Sequence, residues 1–265
     1  MLDFTHPRRL VATLLVAARC LTGTLPTQAQ ASFSVGPQVS LGAAFSPYAA
    51  GDYLSRPYQT RYRIGFEAGV AGSIGFGHVV VQPALLFAQR GFRIDDDFVD
   101  YYNHDVTKAS LRLNYLTLPV SVAYALRPNG QGLQVFAGPY VSLLLGGQYA
   151  FDNTYVGYRQ PQYTVQGTLP VAGSGSYHYA TLDPNAAPNV TTYYSRRMDA
   201  GFQAGGGYRA GQCLFRLSFS MGLLNTGVGE MTDHGGTAGV YIVKPSTYYN
   251  RALLASFTYL LGPKD

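Results

Sequence analysis

The fold is decided by the segment Cys213-Leu214-Phe215-Arg216-Leu217-Ser218-Phe219-Ser220-Met221-Gly222-Leu223. Large apolar residues occupy every second position of this segment, and Arg, Ser and Gly occupy most positions between them. Successive side chains of a β-strand point to opposite faces. The period of two therefore predicts a strand with one apolar face and one polar or small face.

The same alternation recurs along the chain and predicts an all-β fold. No apolar run of about 18 residues follows the first 31 residues, which excludes a transmembrane helix there. A chain of this kind enters a membrane only as a closed barrel. The predicted strands cover residues 33–45, 61–74, 79–92, 109–126, 133–148, 197–209, 213–223 and a last strand through 256–261.

The predicted connections alternate in length. Membrane barrels show this asymmetry, with short periplasmic turns at one end and long extracellular loops at the other. We therefore expect an eight-stranded antiparallel up-and-down transmembrane β-barrel, with apolar side chains toward lipid and both termini on the periplasmic side. The long connections are about 45–60, 94–108, 150–195 and 225–248, and the short ones are 76–78, 127–131 and 210–212.

Composition agrees with a barrel and argues against other classes. Hydrophobic residues make up 47% and charged residues 12% of the chain, which contains 22 Tyr and no Trp. A disordered chain needs more charge and fewer aromatic residues. The net charge is +5, but no Lys/Arg run of the kind that binds nucleic acid is present. Interfacial aromatic belts would have to use Tyr and Phe, and Tyr62, Tyr124, Tyr208 and Tyr259 stand near predicted strand ends.

Residues 1–31 are predicted to be a signal peptide, and residues 32–265 the outer-membrane barrel domain. Arg8 and Arg9 precede the apolar run 10–18, and Ala29-Gln30-Ala31 supplies the small-x-small cleavage pattern. The alternative is a short N-terminal helix that stays attached. A lipoprotein anchor at Cys20 is disfavoured because Arg19 occupies the place of a small residue.

After cleavage Cys213 is the one remaining cysteine. An intrachain disulfide and a cysteine-based zinc site are then excluded.

Two motifs resemble the PorT-like family of outer-membrane β-barrel proteins. These are Leu113-Asn114-Tyr115-Leu116-Thr117-Leu118-Pro119-Val120 and the following Phe136-Ala137-Gly138-Pro139-Tyr140. The resemblance implies an integral outer-membrane protein. The founding member of the family is linked to protein secretion, but most members have no assigned activity, so this role is not transferred. The long loop 150–195 and the C-terminal tail 261–265 depart from the family pattern.

The chain shows no clear catalytic, cofactor or metal site. Its histidines after the signal peptide fall in a turn or in three different loops, and none stands beside a Ser as a triad requires. We therefore predict no enzyme, no cofactor and no site residues. The predicted loop after strand 3 is acidic, so it is either an ordinary solvated loop or a Ca²⁺ site. Its residues are Asp95, Asp96, Asp97, Asp100, His104 and Asp105.

Charged residues also occur on the predicted inner face. A barrel of eight strands is only just wide enough for side chains to fill it, so pairing of these charges would plug the lumen. This argues against a wide porin and leaves a narrow channel for small solutes as the alternative function. The charges are Glu67, Arg112, Asp199, Arg209 and Arg216.

The predicted function is a surface or envelope interaction protein that works through its long extracellular loops. The expected partners are outer-membrane lipid, lipopolysaccharide and a protein or glycan ligand, but no nucleic acid. Tyrosine offers rigid contact area with a polar tip, which suits recognition. The alternative is that the tyrosines extend strands 5 and 6 as a hairpin. They are Tyr149, Tyr155, Tyr158, Tyr163, Tyr177, Tyr179, Tyr193 and Tyr194.

Overall fold

The computed structural model describes residues 32–49, 59–99, 101, 103–157, 160–173, 193–227, 231–235, 239–243 and 247–262. Residues 1–31, the predicted signal peptide, lie outside this part. Eight long strands form the wall: β1 (Ser32–Phe45), β2 (Arg63–Phe76), β3 (Val79–Val99), β4 (Asn103–Ala125), β5 (Gly132–Gly157), β6 (Met198–Ala210), β7 (Cys213–Gly222) and β8 (Arg251–Tyr259).

Each wall strand pairs antiparallel with the next, and the ring closes where β8 pairs with β1. The closing register runs from Gln38 opposite Thr258 to Phe45 opposite Arg251. A closed ring has no free strand edge, so its backbone groups pair internally, as a hydrocarbon environment requires. The predicted eight-stranded antiparallel barrel is confirmed.

Side chains alternate across the wall in the predicted sense. Leu41 on β1 is 66% exposed, whereas its neighbour Ser40 faces the lumen and is 2% exposed. The same alternation places Leu116 and Leu118 of β4 outward and Thr117 inward. Apolar residues thus cover the outer face of the wall, and small or polar residues occupy many of the inward positions. Within the described residues, no helix is long and apolar enough to span a membrane.

Three wall strands are longer than the sequence predicts. Residues 94–108 were expected to form a loop, but β3 and β4 stay paired as far as Val99 opposite His104. β5 continues to Gly157 and returns as the strand Gln160–Gly173. Charged and polar residues interrupt the apolar alternation in these segments, so the sequence pattern alone predicted loops. We call residues 93–99, 103–110, 148–157 and 160–173 the projecting sheet.

The remaining strands are short. Thr60–Arg61 pairs with β3, and Tyr193–Ser195 runs parallel to the end of Gln160–Gly173. Met231–Gly235 pairs with Gly239–Val243 in a hairpin. Tyr48–Ala49 pairs with Thr247–Tyr248, which links the first and last long connections of the chain.

Tight turns join the wall strands at the end opposite the projecting sheet. The turn after β2 has Gly77 at φ 62°, and the turn after β6 has Gly211 at φ 59°. Between β4 and β5, the 3-10 turn Pro128–Gly130 contains Asn129 at φ 58°. Gly and Asn are the residues that tolerate this left-handed conformation. We call this the short-turn end and the opposite end the long-loop end.

The narrow barrel brings neighbouring strands very close at some glycines. A Cβ on Gly138 of β5 would lie 2.0 Å from the carbonyl oxygen of Val120 on β4. At Gly91 of β3, φ is 145° and a Cβ would lie 2.0 Å from the carbonyl oxygen of Leu111. No side chain fits at either distance, so the close approach of the strands depends on glycine.

We expect Gly138→Ala to destabilise the barrel, because its Cβ would push β4 away from β5. Overpacking of this kind costs about 1–3 kcal/mol. Urea unfolding of the detergent-solubilised barrel, monitored by unheated gel mobility, measures the change. Ala137→Val adds volume on the outer face of the same strand and serves as the control. Equal unfolding midpoints for Gly138→Ala and the unmodified chain would contradict this account.

Candidate functional site

The lumen is filled by polar side chains, beginning at the short-turn end. Arg209 donates from Nη1 to the carbonyl oxygen of Asn129 at 3.0 Å and from Nε to that of Gly211 at 3.0 Å. The guanidinium thus ties the end of β6 to two of the tight turns. This arginine closes the lumen at the level of the turns.

A second arginine spans the next level. Arg216 donates from Nη2 to Oε1 of Gln38 at 2.7 Å and from Nη1 to Oε1 of Gln82 at 3.2 Å. Gln82 in turn donates from Nε2 to Oε1 of Gln134 at 3.0 Å. Side chains of β1, β3, β5 and β7 therefore meet across the barrel axis.

The middle of the lumen contains a buried ion-pair triad. Arg90 Nη2 lies 3.2 Å from Glu67 Oε1, and Arg90 Nη1 lies 3.7 Å from Asp199 Oδ2. The side chains of Arg90, Glu67 and Asp199 are 5%, 7% and 0% exposed. The Arg90 guanidinium also lies 4.8 Å above the ring centre of Tyr140, within the range of a cation–π contact.

Asp199 extends the triad into a network of hydrogen bonds. Its Oδ2 accepts from the hydroxyl of Tyr140 at 3.3 Å and from Nδ2 of Asn250 at 3.0 Å. Asn250 Nδ2 also donates to the hydroxyl oxygen of Tyr115 at 3.2 Å. We call Glu67, Arg90, Tyr115, Tyr140, Asp199 and Asn250 the central network.

An apolar cluster closes the lumen above the central network. Phe92 and Tyr248 meet edge-on with ring centres 5.3 Å apart. The Tyr248 hydroxyl lies 2.7 Å from Ser195 Oγ, which anchors the connection before β8. We call this cluster the outer plug, and its members include Phe92, Leu111, Leu113, Leu144, Val171 and Tyr248.

Four of the five predicted interior charges do line the lumen: Glu67, Asp199, Arg209 and Arg216. The prediction for Arg112 is wrong. Its neighbours on β4, Leu111 and Leu113, are 1% and 0% exposed and face inward, so Arg112 lies on the outer face. Around Arg112, the prediction therefore assigned the polar residues of β4 to the lumen and the apolar residues to the outer face, which is the reverse of the structure.

Sequence reasoning missed Arg90, the cation at the centre of the lumen. The inner face of β3 also carries Val80, Ala84, Leu86 and Ala88, all buried, so its alternation does not separate polar from apolar residues. Only the spacing could have indicated that Arg90 faces the lumen: it lies eight residues after the inward-facing Gln82, and an even spacing on a strand places both side chains on the same face.

The acidic residues that followed the predicted strand 3 lie largely in β3 itself. Asp97 Oδ1 contacts His104 Nε2 at 2.7 Å, and Asp95 Oδ2 contacts Arg61 Nη2 at 3.1 Å. Asp96 faces inward and is buried, and Asp100 lies outside the described residues. Among the described residues, no group of three or more His, Cys, Asp or Glu side chains is placed to hold a metal ion. Ca²⁺ binding stays an open prediction.

The histidines are dispersed. His78 occupies the turn between β2 and β3, where its Nδ1 lies 2.9 Å from the carbonyl oxygen of Ala125 and its ring stacks on Tyr124. His104 lies on the projecting sheet, and His234 lies in the hairpin strand Met231–Gly235. His178 falls outside the described residues. The described histidines thus belong to separate parts of the chain.

Replacing Arg90 by Met would remove the ion-pair partner of the buried Glu67 and Asp199. We expect this change to lower the unfolding free energy by about 3–5 kcal/mol. The triple variant E67Q/R90M/D199N removes all three charges of the triad together and should recover much of the loss. Urea unfolding in detergent measures both effects, with the exposed Arg127→Met as control. Unchanged stability of Arg90→Met would show that the triad does not support the barrel.

Comparison with known proteins gives one family. The model of an outer membrane protein β-barrel domain matches residues 28–227. No curated protein sequence matches the chain.

Two solved structures with low similarity are Ail, the attachment invasion locus protein of Yersinia pestis, in complex with the heparin analogue sucrose octasulfate, and Neisserial surface protein A. Ail is 9% identical with a TM-score of 0.32, over 86% of this chain and 99% of Ail. Neisserial surface protein A is 11% identical with a TM-score of 0.36, over 87% of this chain and 98% of that protein. The assignment therefore rests on the family model, which covers most of the chain, and the chain belongs to the outer membrane protein β-barrel domain family.

Proposed function

We propose that this outer-membrane barrel is a non-enzymatic surface interaction protein that binds a protein or glycan ligand with its projecting sheet. In this proposal the long-loop end faces the cell exterior and both termini of the mature chain are periplasmic. Residues 1–31 are removed as a signal peptide. The main observation behind the proposal is that the projecting sheet packs against the outer plug at the end of a filled lumen.

The projecting sheet is held by apolar contacts with the barrel. Tyr149 and Phe151 of β5 stack with ring centres 5.7 Å apart and pack against the outer plug. Val171 of the returning strand belongs to the plug itself and is 4% exposed. The base of the sheet is thus fixed, so its exposed groups are presented in a defined arrangement, which lowers the entropy cost of binding.

The exposed face of the projecting sheet is polar rather than aromatic. Thr154 and Thr164 lie opposite each other with their hydroxyl oxygens 3.1 Å apart. Asp152 and Gln166 form the next pair of opposite residues, and both are exposed. Hydroxyl and amide groups donate and accept hydrogen bonds, and a carboxylate accepts them, as binding of sugar hydroxyls or peptide groups requires.

The tyrosines contribute differently from expectation. Tyr149 packs toward the plug, and Tyr155 and Tyr163 are residues of the paired hairpin strands. Tyr158, Tyr177 and Tyr179 lie outside the described residues. The hairpin alternative therefore accounts for the first three, although the partner strand is Gln160–Gly173 and not β6.

The filled lumen argues against the alternative of a narrow solute channel. The central network and the outer plug occupy successive levels of the axis, and Tyr115, Tyr140 and Leu113 are each at most 2% exposed. A permeating solute would have to break the buried Arg90 ion pairs, which is costly.

We propose that, among outer-membrane β-barrel proteins, this chain is a member of the PorT-like family. Tyr115 and Tyr140, one from each motif of the resemblance, meet at the central network through Asn250 and Asp199. Gly138 of the second motif is a position where neighbouring strands approach too closely for a side chain. Residues of both motifs thus contribute to the packing of β4 against β5 and to the central network.

We expect no steady conductance from the refolded barrel in planar lipid bilayers, because the lumen is closed at successive levels. The triple variant E67Q/R90M/D199N removes the central charges but keeps the outer plug, so it should also stay closed. Steady single-channel currents from the unmodified chain, absent in protein-free bilayers, would favour the channel.

Shortening the projecting sheet should remove ligand binding without unfolding the barrel. Replacement of residues 152–166 by Asn-Gly joins Phe151 to Gly167, which already lie opposite each other, through a favoured hairpin turn. Binding of nanodisc-embedded barrels to glycan and extracellular-protein arrays measures the effect. Signals present for the intact chain should fall to the level of empty nanodiscs. Equal signals for both chains, or none for the intact chain, would overturn the proposal.

A further inference from the structure

A cluster of arginines lies on the outer wall of the barrel, immediately beyond the apolar surface. On β3 the outward apolar residues end at Phe87, and on β4 they end at Leu116, which lies opposite Phe87. From there to the short-turn end, each strand has about the nine residues that cross the hydrocarbon. The next outward positions toward the long-loop end therefore lie at the depth of lipid headgroups.

The residues at this depth change from apolar to polar and then to cationic. Gln89 donates from Nε2 to Oδ1 of Asn114 at 3.2 Å as the first pair beyond the apolar surface. Arg112 lies opposite Gly91 in the next pair. Gly91 therefore places no side chain beside Arg112 on the outer face.

Two further arginines converge on the same place. Arg93 lies opposite Ser110, and Arg63 donates from Nη1 to the hydroxyl of Ser110. Arg93 and Arg112 are close enough to Arg63 for their charges to act on it. We call Arg63, Arg93 and Arg112 the outer arginine cluster.

In the described registers, no acidic residue lies directly opposite a residue of the outer arginine cluster. Arg112 lies between Gly91 and Gln148, and Ser110 lies between Arg93 and Ala150. Among the described residues, Nε of Arg63 and Nε of Arg112 are buried and have no hydrogen-bond acceptor. Three like charges at one place repel each other, so an anion that accepts hydrogen bonds would stabilise the cluster.

The next level toward the tip of the sheet is different, because its charges compensate one another. Arg61 lies opposite Arg93, but its guanidinium pairs with Asp95 of the next level at 3.1 Å. Lys108 lies between Asp95 and Asp152. A concavity of about 510 Å³ extends from Arg93 and Ser110 over these residues. There is thus room beside the cluster for a group larger than a single anion.

We propose that the outer arginine cluster binds the phosphate groups of a phosphorylated glycolipid in the leaflet at the long-loop end. Planar guanidinium groups donate paired hydrogen bonds to phosphate. The depth of the cluster places those donors where lipid phosphates lie, and the concavity accepts part of the attached sugar. The inference depends on the membrane-spanning barrel of the proposed function, but not on the ligand of the projecting sheet.

The test counts lipid retained by the purified, detergent-solubilised full barrel in native mass spectrometry. The probes are bisphosphorylated lipid A and the same lipid without phosphates. We expect R63Q/R93Q/R112Q to reduce retention of the phosphorylated lipid by about tenfold or more, the scale of a lost charge-assisted contact. The control Arg127→Gln removes an exposed positive charge at the short-turn end, away from the cluster, and should retain the lipid as the unmodified chain does.

Unheated gel mobility first establishes that each variant is folded. If the triple variant is unfolded, Arg112→Gln with Arg127→Gln as control replaces it, and a several-fold loss confined to Arg112→Gln is expected. Equal retention by cluster and control variants overturns the inference, and so does equal retention of the phosphate-free lipid. Displacement of lipid by an equal concentration of inorganic phosphate overturns it as well, since the site would then serve soluble anions. Because the projecting sheet is unchanged in these variants, failure here is independent of failure in the array experiment.

Discussion

The pairing of β8 with β1 is the constraint on which the rest of the structure depends. It closes the ring of hydrogen bonds, and a membrane tolerates an all-β chain only when the ring is closed. Closure with eight strands also sets a narrow lumen. The narrow lumen restricts several inward positions to small side chains such as Ser40 and Thr117, and the close approach of β4 and β5 leaves no room for a Cβ on Gly138.

A lumen this narrow must be filled by side chains that satisfy one another. Arg90 is the centre of that arrangement, because Glu67 and Asp199 reach it from strands on different sides of the barrel. Buried ion pairs of this kind contribute little net stability over apolar packing, but they are costly to break. The interior is thus occupied along the barrel axis, and the proposed ligand contacts lie on the outer surfaces of the protein.

The outer surface has three zones, which suit hydrocarbon, lipid headgroups and water in turn. The apolar residues up to Phe87 and Leu116 face hydrocarbon, and the arginines at 63, 93 and 112 follow at the polar boundary. Beyond them, the charges of Arg61, Asp95 and Lys108 compensate each other as the sheet enters water. One continuous pair of strands, β3 and β4, thus carries the change from lipid to headgroup to water. The same two strands support both the proposed lipid contact and the projecting sheet.

The sequence by itself determined the strands of the wall, their number and the outward direction of the apolar side chains, because a period of two is a local property of a strand. Only the tertiary structure decided which charges meet. The register shift between Asn114 and Tyr115 leaves Leu145 without a partner and turns Gln148 outward, and no pattern within one strand records such a bulge. Likewise, the side chain of Arg90 lies in the lumen and that of Arg112 on the outer face. Which face a residue takes depends on the register of its whole strand with the neighbouring strands. β3 and β4 extend through residues 94–108 because the two strands stay paired there. This pairing joins two segments, so the periodicity of one segment cannot predict it.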